Sequence, residues 1–155
     1  MDAIVRQPES RRRVLAGSGE DDDMAEHPAR RAGLASQSAV RGHRRDEWLA
    51  LFAADARVED PIGVSPYDPV GEGHRGRGAI AAFWDRAIAR SAIEFRHTDS
   101  FACGDEVAFV TTIRSTRDDI VVEVDAVVTY RVDADGKILA LRAFWELERA
   151  RASAP

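Results

Sequence analysis

The sequence lacks the cysteine pairs that stabilise many secreted domains and the long apolar runs that cross membranes. It contains one cysteine, Cys103, among 155 residues, so no disulfide can form within the chain. No apolar run approaches the roughly 20 residues that a transmembrane helix needs, and the first residues become charged before a signal-peptide core could form. We therefore expect a cytoplasmic protein that makes no contact with a membrane.

The chain also lacks a surplus of positive charge. Its 22 Lys and Arg residues against 27 Asp and Glu residues give a formal net charge of −5. Phosphate backbones are bound by clustered Lys and Arg, so no nucleic-acid partner is expected. The four histidines show no metal-ligand spacing, and no glycine-rich loop leads into Lys-Ser or Lys-Thr. The sequence therefore predicts neither a metal nor a cofactor.

What is present suffices for one domain with one core, because 45% of the residues are hydrophobic. Residues 1–26 combine a basic cluster, a Gly-Ser stretch and an acidic cluster, a composition that predicts a disordered tail. Met24 follows the acidic cluster and is a candidate translation start. We predict a single domain over residues 27–149 and a disordered C-terminus over residues 150–155.

Helical patterns come first along the domain. Residues 28–41 are predicted to form a helix, with Pro28 at its start and Gly42 just past its end. A short helix follows over residues 46–53, and a third over residues 78–89, where apolar residues recur at helical spacing. A short strand at residues 56–60 and a long loop, residues 62–78, separate the second helix from the third.

Strand patterns fill the rest of the domain, over residues 91–101, 106–116, 120–132 and 137–148. In the run at 120–132 every second residue from Val122 to Tyr130 is apolar, which predicts that one face of this strand lies in a core. The turn sequence DADG at residues 133–136 predicts a hairpin. Helices followed by antiparallel strands indicate the α+β class, with helices covering one face of a curved sheet.

Three segments carry a resemblance to a known family: VEDPIG at residues 58–63, GRGAIAAFW at residues 76–84, and YRVDADGKILALRAFW at residues 130–145. Together they resemble the ketosteroid isomerase-like, or SnoaL-like, branch of the nuclear transport factor 2-like superfamily. The resemblance implies a cone-shaped barrel of a curved antiparallel sheet covered by three N-terminal helices. It also implies a deep apolar pocket and a homodimer formed through the outer sheet faces.

The resemblance assigns roles to particular residues. Asp60 matches the general base of the steroid isomerases, which also use a tyrosine and a protonated aspartic acid to stabilise the substrate oxygen. The matching tyrosine would fall near Ser36, or at Ala39 if the segment between the helices is shortened, and the matching acid at Val128. Both are absent here. Tyr130 shares a strand face with Val128, so it is the candidate replacement donor, or else a core aromatic.

Ligand-binding positions are predicted from the same resemblance and from the strand pattern: Trp84, Val128, Ala126, Trp145, Ile62, Phe52 and His74. Alternation along the strand turns Glu59 away from Asp60, so Glu59 is expected to be solvated. Phe144 should likewise point outward, where a partner subunit could bury it. Cys103 is expected to be a small core residue.

The first functional hypothesis is a steroid delta-isomerase-like enzyme that moves a proton on a small apolar ketone, with Asp60 as base. The second is a binding protein for steroid-like or polyketide-like ligands, which the missing oxygen-stabilising donors favour. The third is a polyketide cyclase-type reaction on the same scaffold, and the fourth a structural dimer with a filled core. The scaffold serves many activities, so the fold alone does not choose between them.

Overall fold

Three helices shape one side of the molecule in the computed structural model, which describes residues 27–154. Helix α1 (Pro28–Arg41) begins with Pro28 after His27, whose ring nitrogen Nδ1 accepts a hydrogen bond from the Ala29 amide at 3.2 Å. Helix α2 (Arg45–Ala50) and helix α3 (Gly76–Phe83) follow, and α3 continues into a π-helical turn (Trp84–Ile88). None of the described helices is long and apolar enough to cross a bilayer.

Two predictions fall outside the described residues, namely the tail at residues 1–26 and the candidate start at Met24. The predicted second helix ends earlier than expected, because β1 already begins at Phe52.

Strands make up the other side of the molecule. Their bounds are β1 (Phe52–Glu59), β2 (His74–Arg75), β3 (Ala92–Cys103), β4 (Glu106–Arg117), β5 (Ile120–Val132), β6 (Ile138–Phe144) and β7 (Arg151–Ser153). A short 3-10 turn (Leu147–Arg149) precedes β7.

The strands form one sheet in the order β2-β1-β6-β5-β4-β3, with β7 paired to β5. All pairs are antiparallel except β1 with β6, which run parallel. The prediction of a wholly antiparallel sheet is corrected at this pair. Parallel neighbours need a long crossover, and here α3 and strands β3 to β5 lie between β1 and β6 in the chain.

The predicted disorder of residues 150–155 is wrong for Arg151–Ser153. These residues form β7, which pairs with Val121 to Glu123 of β5. The Arg151 guanidinium also lies 3.2 Å from Asp125 Oδ2. A short polar segment carries little sequence signal for a strand, because its backbone hydrogen bonds come from the neighbouring strand.

The core lies between the helices and the inner face of the sheet. Val124, Ala126, Val128, Tyr130 and Val132 of β5 are buried, which confirms the predicted alternation. Helix α1 packs against β3, β4 and β5, and α3 packs against β1. The architecture is therefore an α+β cone, in which three helices cover a curved, mostly antiparallel sheet.

Gly33 sets how closely α1 approaches this sheet. A Cβ atom added there would lie 2.7 Å from Phe109 Cε2 and 2.9 Å from Tyr130 Cδ2. Both contacts are far shorter than ordinary packing, and both rings are themselves buried.

We predict that Gly33→Ala lowers the free energy of unfolding by about 1–3 kcal/mol, because overpacking outweighs the helix preference of alanine. Urea denaturation followed by circular dichroism measures the change. Gly78→Ala in α3 is the matched control, since its added Cβ meets nothing within 4 Å, and it should be neutral or stabilising. Equal effects of the two substitutions would contradict the close approach at Gly33.

Candidate active site

A cavity of about 440 Å³ opens between α3 and the inner face of β3, β4 and β5. This volume is within the range of small-molecule sites. Its apolar lining residues are Pro66, Phe83, Ala87, Ile88, Ile93, Ile113, Ile120, Val122, Val124, Leu147 and Ala150. The cavity can therefore hold an apolar ligand, and the few polar groups on its wall decide what chemistry the ligand meets.

Asp60 reaches this cavity because of how β1 ends. Glu59, the last residue of β1, lies opposite Arg142 in the parallel pairing with β6. The Ile62 amide then donates to the Ala143 carbonyl oxygen at 3.0 Å, which holds the segment after Asp60 against β6. The peptide bond between Asp60 and Pro61 is cis. The pairing with β6 leaves Asp60 beside Trp145, and both side chains border the cavity.

Asp60 is half-buried at the cavity wall, where protein atoms displace part of the water around its carboxyl. This desolvation raises the pKa of Asp60 above its ordinary value of 3.8. A hydrogen bond opposes the rise: Trp145 Nε1 donates to Asp60 Oδ1 at 2.6 Å. The bond holds the carboxyl in place and occupies one of its oxygens, which leaves Oδ2 to act on a ligand. A carboxylate with a raised pKa is a stronger base than an exposed one.

The Trp145 bond also excludes the Trp145 indole as a replacement for the missing oxygen-stabilising donors. An indole has a single N–H donor, and in Trp145 this donor is engaged by Asp60. Trp145 is therefore a positioning group for Asp60 and an apolar wall of the cavity.

Glu59 points to the opposite face of the sheet, as predicted, but the expectation that it is solvated is wrong. Its side chain is buried, with Oε1 2.9 Å from Arg57 Nε and Oε2 3.6 Å from Arg142 Nε. The long loop covers it: a Cβ added at Gly73 would lie 2.9 Å from Glu59 Cγ. The two adjacent acids thus have separate environments, one an ion-pair cluster and the other the cavity.

Tyr130 is buried below the helices, and it is not among the described residues that border the cavity. Burial raises its pKa to about 12, the polar groups of Ser36 and Gln37 oppose the rise, and the negative charge of Asp60 adds to it. Gln37 Nε2 has no hydrogen bond of good geometry among residues 27–154, so its effect on Tyr130 is that of a polar contact. The Tyr130 hydroxyl therefore lies beside Ser36 and within the field of Asp60.

A hydrogen-bond chain orients the surroundings of this hydroxyl. Trp48 Nε1 donates to Ser36 Oγ at 2.9 Å, so the Ser36 hydroxyl proton is left to point elsewhere. On the other side, Gln37 Oε1 lies 2.6 Å from His97 Nε2. His97 is exposed overall, and partial burial of its ring lowers its pKa.

The predicted ligand-binding residues divide into three groups. Trp145 borders the cavity, whereas Ala126 and Ile62 border a second hollow on the outer side of the sheet, together with Trp145. The placement of Phe52, Trp84, Val128 and His74 at the cavity is corrected, because other side chains cover them.

Each of these four side chains has an identifiable neighbour. Phe52 and Trp84 pack on the Trp48 ring, with centroids 4.6 and 5.2 Å from it. His74 lies behind Phe83 at 4.9 Å, and Val128 pairs with Phe109 inside the core. They support the cavity wall from behind rather than form it.

Several cavity residues were missed by the sequence reasoning: Tyr67, Ser91, Ile93, Ile113, Ser115 and Arg117. Alternation of side chains along β3 and β4 could have predicted three of them, because Ile93, Ile113 and Ser115 share the inward face of the sheet. Tyr67 and Ser91 lie in connecting segments, where alternation carries no information. Cys103 is exposed rather than buried, because it faces outward at the end of β3.

Residues 27–154 contain no cluster of three or more His, Cys, Asp or Glu side chains arranged to hold a metal ion. The polar side chains that border the cavity are Asp60, Tyr67, Ser91, Ser115, Arg117 and Asp118. An acid, hydroxyl groups and one guanidinium are thus the groups that a ligand in the cavity would meet.

A desolvated acid beside an apolar cavity, within a helix-covered curved sheet, is the arrangement of the ketosteroid isomerase-like class of proteins. Residues 35–141 match the SnoaL-like domain, and the chain belongs to this family. It is 37% identical over 108 residues to a steroid delta-isomerase of Nocardioides simplex, covering 69% of this chain and 80% of that protein.

Solved structures agree with this placement. A delta 5-3-ketosteroid isomerase from a Mycobacterium species has a TM-score of 0.79 and 35% identity, over 82% of this chain and 99% of its own. The protein RV0760c of Mycobacterium tuberculosis, solved in complex with estradiol-17beta-hemisuccinate, has a TM-score of 0.78 and 36% identity, over 81% and 99% of the two chains.

The raised pKa of Asp60 predicts a pH-dependent effect of Asp60→Asn on stability. Below the ordinary pKa of about 4 the acid is neutral in both folded and unfolded chains, and the substitution changes little. As pH rises through the raised pKa of the folded state, the native protein must carry a buried charge. Asp60→Asn should therefore stabilise the protein increasingly up to that pH and by a constant amount above it.

Urea denaturation of the unmodified protein and the Asp60→Asn variant between pH 3 and pH 8 measures this difference, and all other titrating groups cancel in the comparison. Asp55→Asn, at an exposed aspartate of β1, is the control and should show no such trend. A stability difference between the unmodified protein and Asp60→Asn that is independent of pH would show that the carboxyl is not desolvated.

Proposed function

We propose that this protein is a steroid delta-isomerase-like enzyme that transfers an allylic proton on a small apolar ketone, with Asp60 as general base. The observation that carries the proposal is the desolvated Asp60 carboxyl, held by Trp145 at the wall of an apolar cavity. The 37% identity to a steroid delta-isomerase supports the choice of reaction.

The proposed step needs no outside reactant. Asp60 Oδ2 takes a proton from the carbon next to the ketone, so a C–H bond breaks and an O–H bond forms. The C–H electron pair forms a double bond to the carbonyl carbon while the C=O π pair moves onto the oxygen, which gives a dienolate with the existing double bond retained. Asp60 then returns the proton to the far carbon of that system, and the product is a conjugated enone. The apolar walls favour this transfer, because they keep water from competing with the substrate for Asp60.

Stabilising the dienolate oxygen requires a hydrogen-bond donor. We assign this role to Tyr130, whose hydroxyl lies beside Ser36 and in the field of Asp60. The Trp48-to-Ser36 hydrogen bond leaves the Ser36 proton free to turn toward the Tyr130 oxygen. With that oxygen accepting from Ser36, the phenolic proton of Tyr130 would be available to the ligand.

A second candidate function is ligand binding without efficient turnover. The specific observation that favours it is the replacement of both expected donors, by Ser36 and Val128, together with the placement of Tyr130 away from the described cavity wall. Loss of one such donor typically slows an enzyme by about 10²–10³. In this alternative, the cavity and Asp60 remain while chemistry is slow.

An isomerisation assay tests the first function against the second. A 5-ene-3-ketosteroid is mixed with the protein, and the absorbance of the conjugated enone is followed. We expect turnover that falls by at least about 10² in Asp60→Asn, because the base is removed. Activity should also fall as pH drops through the raised pKa of Asp60.

Tyr130→Phe separates the donor role from a packing role. A donor should lower the turnover number by about 10²–10³ with little change in unfolding free energy of the ligand-free protein. Unchanged turnover in Tyr130→Phe would reduce Tyr130 to a core residue. Steroid binding without turnover in the unmodified protein would establish the binding function instead.

We further propose that the protein forms a homodimer through the outer face of its sheet. Val110, Val127 and Phe144 lie side by side on neighbouring strands of that face, and Phe144 is 50% exposed, which confirms its predicted outward direction. Asp125, Glu146 and Arg149 border the same face. The apolar row is thus bordered by charges of both signs. Such a surface is self-complementary and can contact the same surface of a second copy related by a twofold axis.

Phe144→Glu should therefore convert the dimer to a monomer, because it places a charge in the centre of an apolar contact. Sedimentation equilibrium measures the change as a halving of the mass. Val70→Glu, at an exposed loop position away from this face, should leave the mass unchanged. A monomeric unmodified protein at micromolar concentration would rule the dimer out.

A further inference from the structure

The end of the cavity near the β4–β5 hairpin has a different chemical character from the end at Asp60. Four polar side chains border it: Ser91, Ser115, Arg117 and Asp118. Strand register brings them together, since Ala92 pairs with Thr116, Ile93 with Ser115, and Arg117 with Ile120. Ser91, which directly precedes β3, therefore lies at the level of Arg117.

Both serine hydroxyls are left without protein partners. Ser91 is only 5% exposed, yet its Oγ forms no hydrogen bond with any residue in the described range 27–154, and the same holds for Ser115 Oγ. Neither Oγ is among the fully buried polar atoms of residues 27–154 that lack a partner, so both hydroxyls are reachable from the cavity. Each can therefore donate a hydrogen bond to a ligand atom that accepts one.

Arg117 supplies the positive charge at this end. Its side chain is 38% exposed, and its one ion pair within the described residues is a 3.9 Å contact to Asp118. Asp118 is 92% exposed, so water screens most of its charge. The guanidinium is thus free to form paired hydrogen bonds with a carboxylate, which its planar geometry favours.

The two ends are separated by the length of an extended ligand. Val127 pairs with Phe144, which places Trp145 near the level of Ala126 on β5. Ser115 pairs with Val122 and Arg117 with Ile120, and these partners lie four and six residues from Ala126 along β5. At about 3.3 Å per residue, the polar end lies roughly 13–20 Å along the strand from the Asp60–Trp145 pair.

We propose that Ser91, Ser115 and Arg117 bind a carboxylate at the far end of the ligand. The preferred substrate class would be an elongated apolar ketone that carries a carboxylate opposite the ketone. This inference rests on the proposed function for the ketone end, and it adds the recognition of the other end.

Two matched steroids test the proposal by isothermal titration calorimetry. Progesterone and 3-oxoandrost-4-ene-17β-carboxylic acid share the ring system and the ring ketone, but differ in the group at the opposite end. We expect the acid to bind about fivefold more tightly at low salt, as a partly exposed ion pair allows. The preference should shrink at high salt, because the pair is screened.

Arg117→Met should abolish the preference for the acid while leaving progesterone binding nearly unchanged. Arg114→Met is the matched control, since Arg114 is on the same strand and exposed but does not border the cavity. Circular dichroism of each variant checks that it is folded.

The outcomes separate the two proposals. Equal binding of both steroids, or a preference that persists in Arg117→Met, would overturn the carboxylate site while the ketone pocket stands. If neither steroid binds the unmodified protein, both the carboxylate site and the steroid-like function fail. A preference lost in Arg117→Met and kept in Arg114→Met would establish the site.

Discussion

The hydrogen bond from Trp145 to Asp60 is the interaction on which the proposed chemistry depends. It exists because β1 and β6 run parallel, which brings the residue after β1 beside the residue after β6. Taking a carboxyl out of water is costly unless a donor compensates. A single indole N–H compensates in part, so the acid stays in place and still has a raised pKa. The fold thus accepts an unfavourable local environment for a carboxyl held beside an apolar cavity.

The rest of the site is arranged around that acid by packing. The Trp48 ring supports Phe52 and Trp84 from behind, and Gly33 lets α1 approach the rings of Phe109 and Tyr130. These contacts place the Tyr130 hydroxyl beside Ser36, near the position where the resemblance would expect a tyrosine from α1. The expected second acid is replaced by the apolar Val128, which is buried in the same close packing.

The sequence predicted more about the architecture than about the cavity. Helix α1, the alternation of β5 and the position of Asp60 after a short strand could all be predicted, because each depends on periodicity or on a local motif. Burial of Phe52, Trp84 and Val128 could be predicted as well. Whether a buried side chain meets another side chain or an open cavity depends on how several elements pack, and this has no local signature. For the same reason Glu59, covered by the distant loop at Gly73, was wrongly expected to be solvated.

By itself, the sequence determined the class of the fold, the acid that begins the loop after β1, and the absence of the family's tyrosine and second acid. These properties are written in residue types and short spacings, so no knowledge of packing is needed to find them. The tertiary structure alone decided that β1 and β6 are parallel, that Trp145 is the partner of Asp60, and that Ser91, Ser115 and Arg117 share one end of the cavity. The physical reason is that strand register and helix packing join residues far apart in the chain, and the free energy of those contacts depends on the whole core at once.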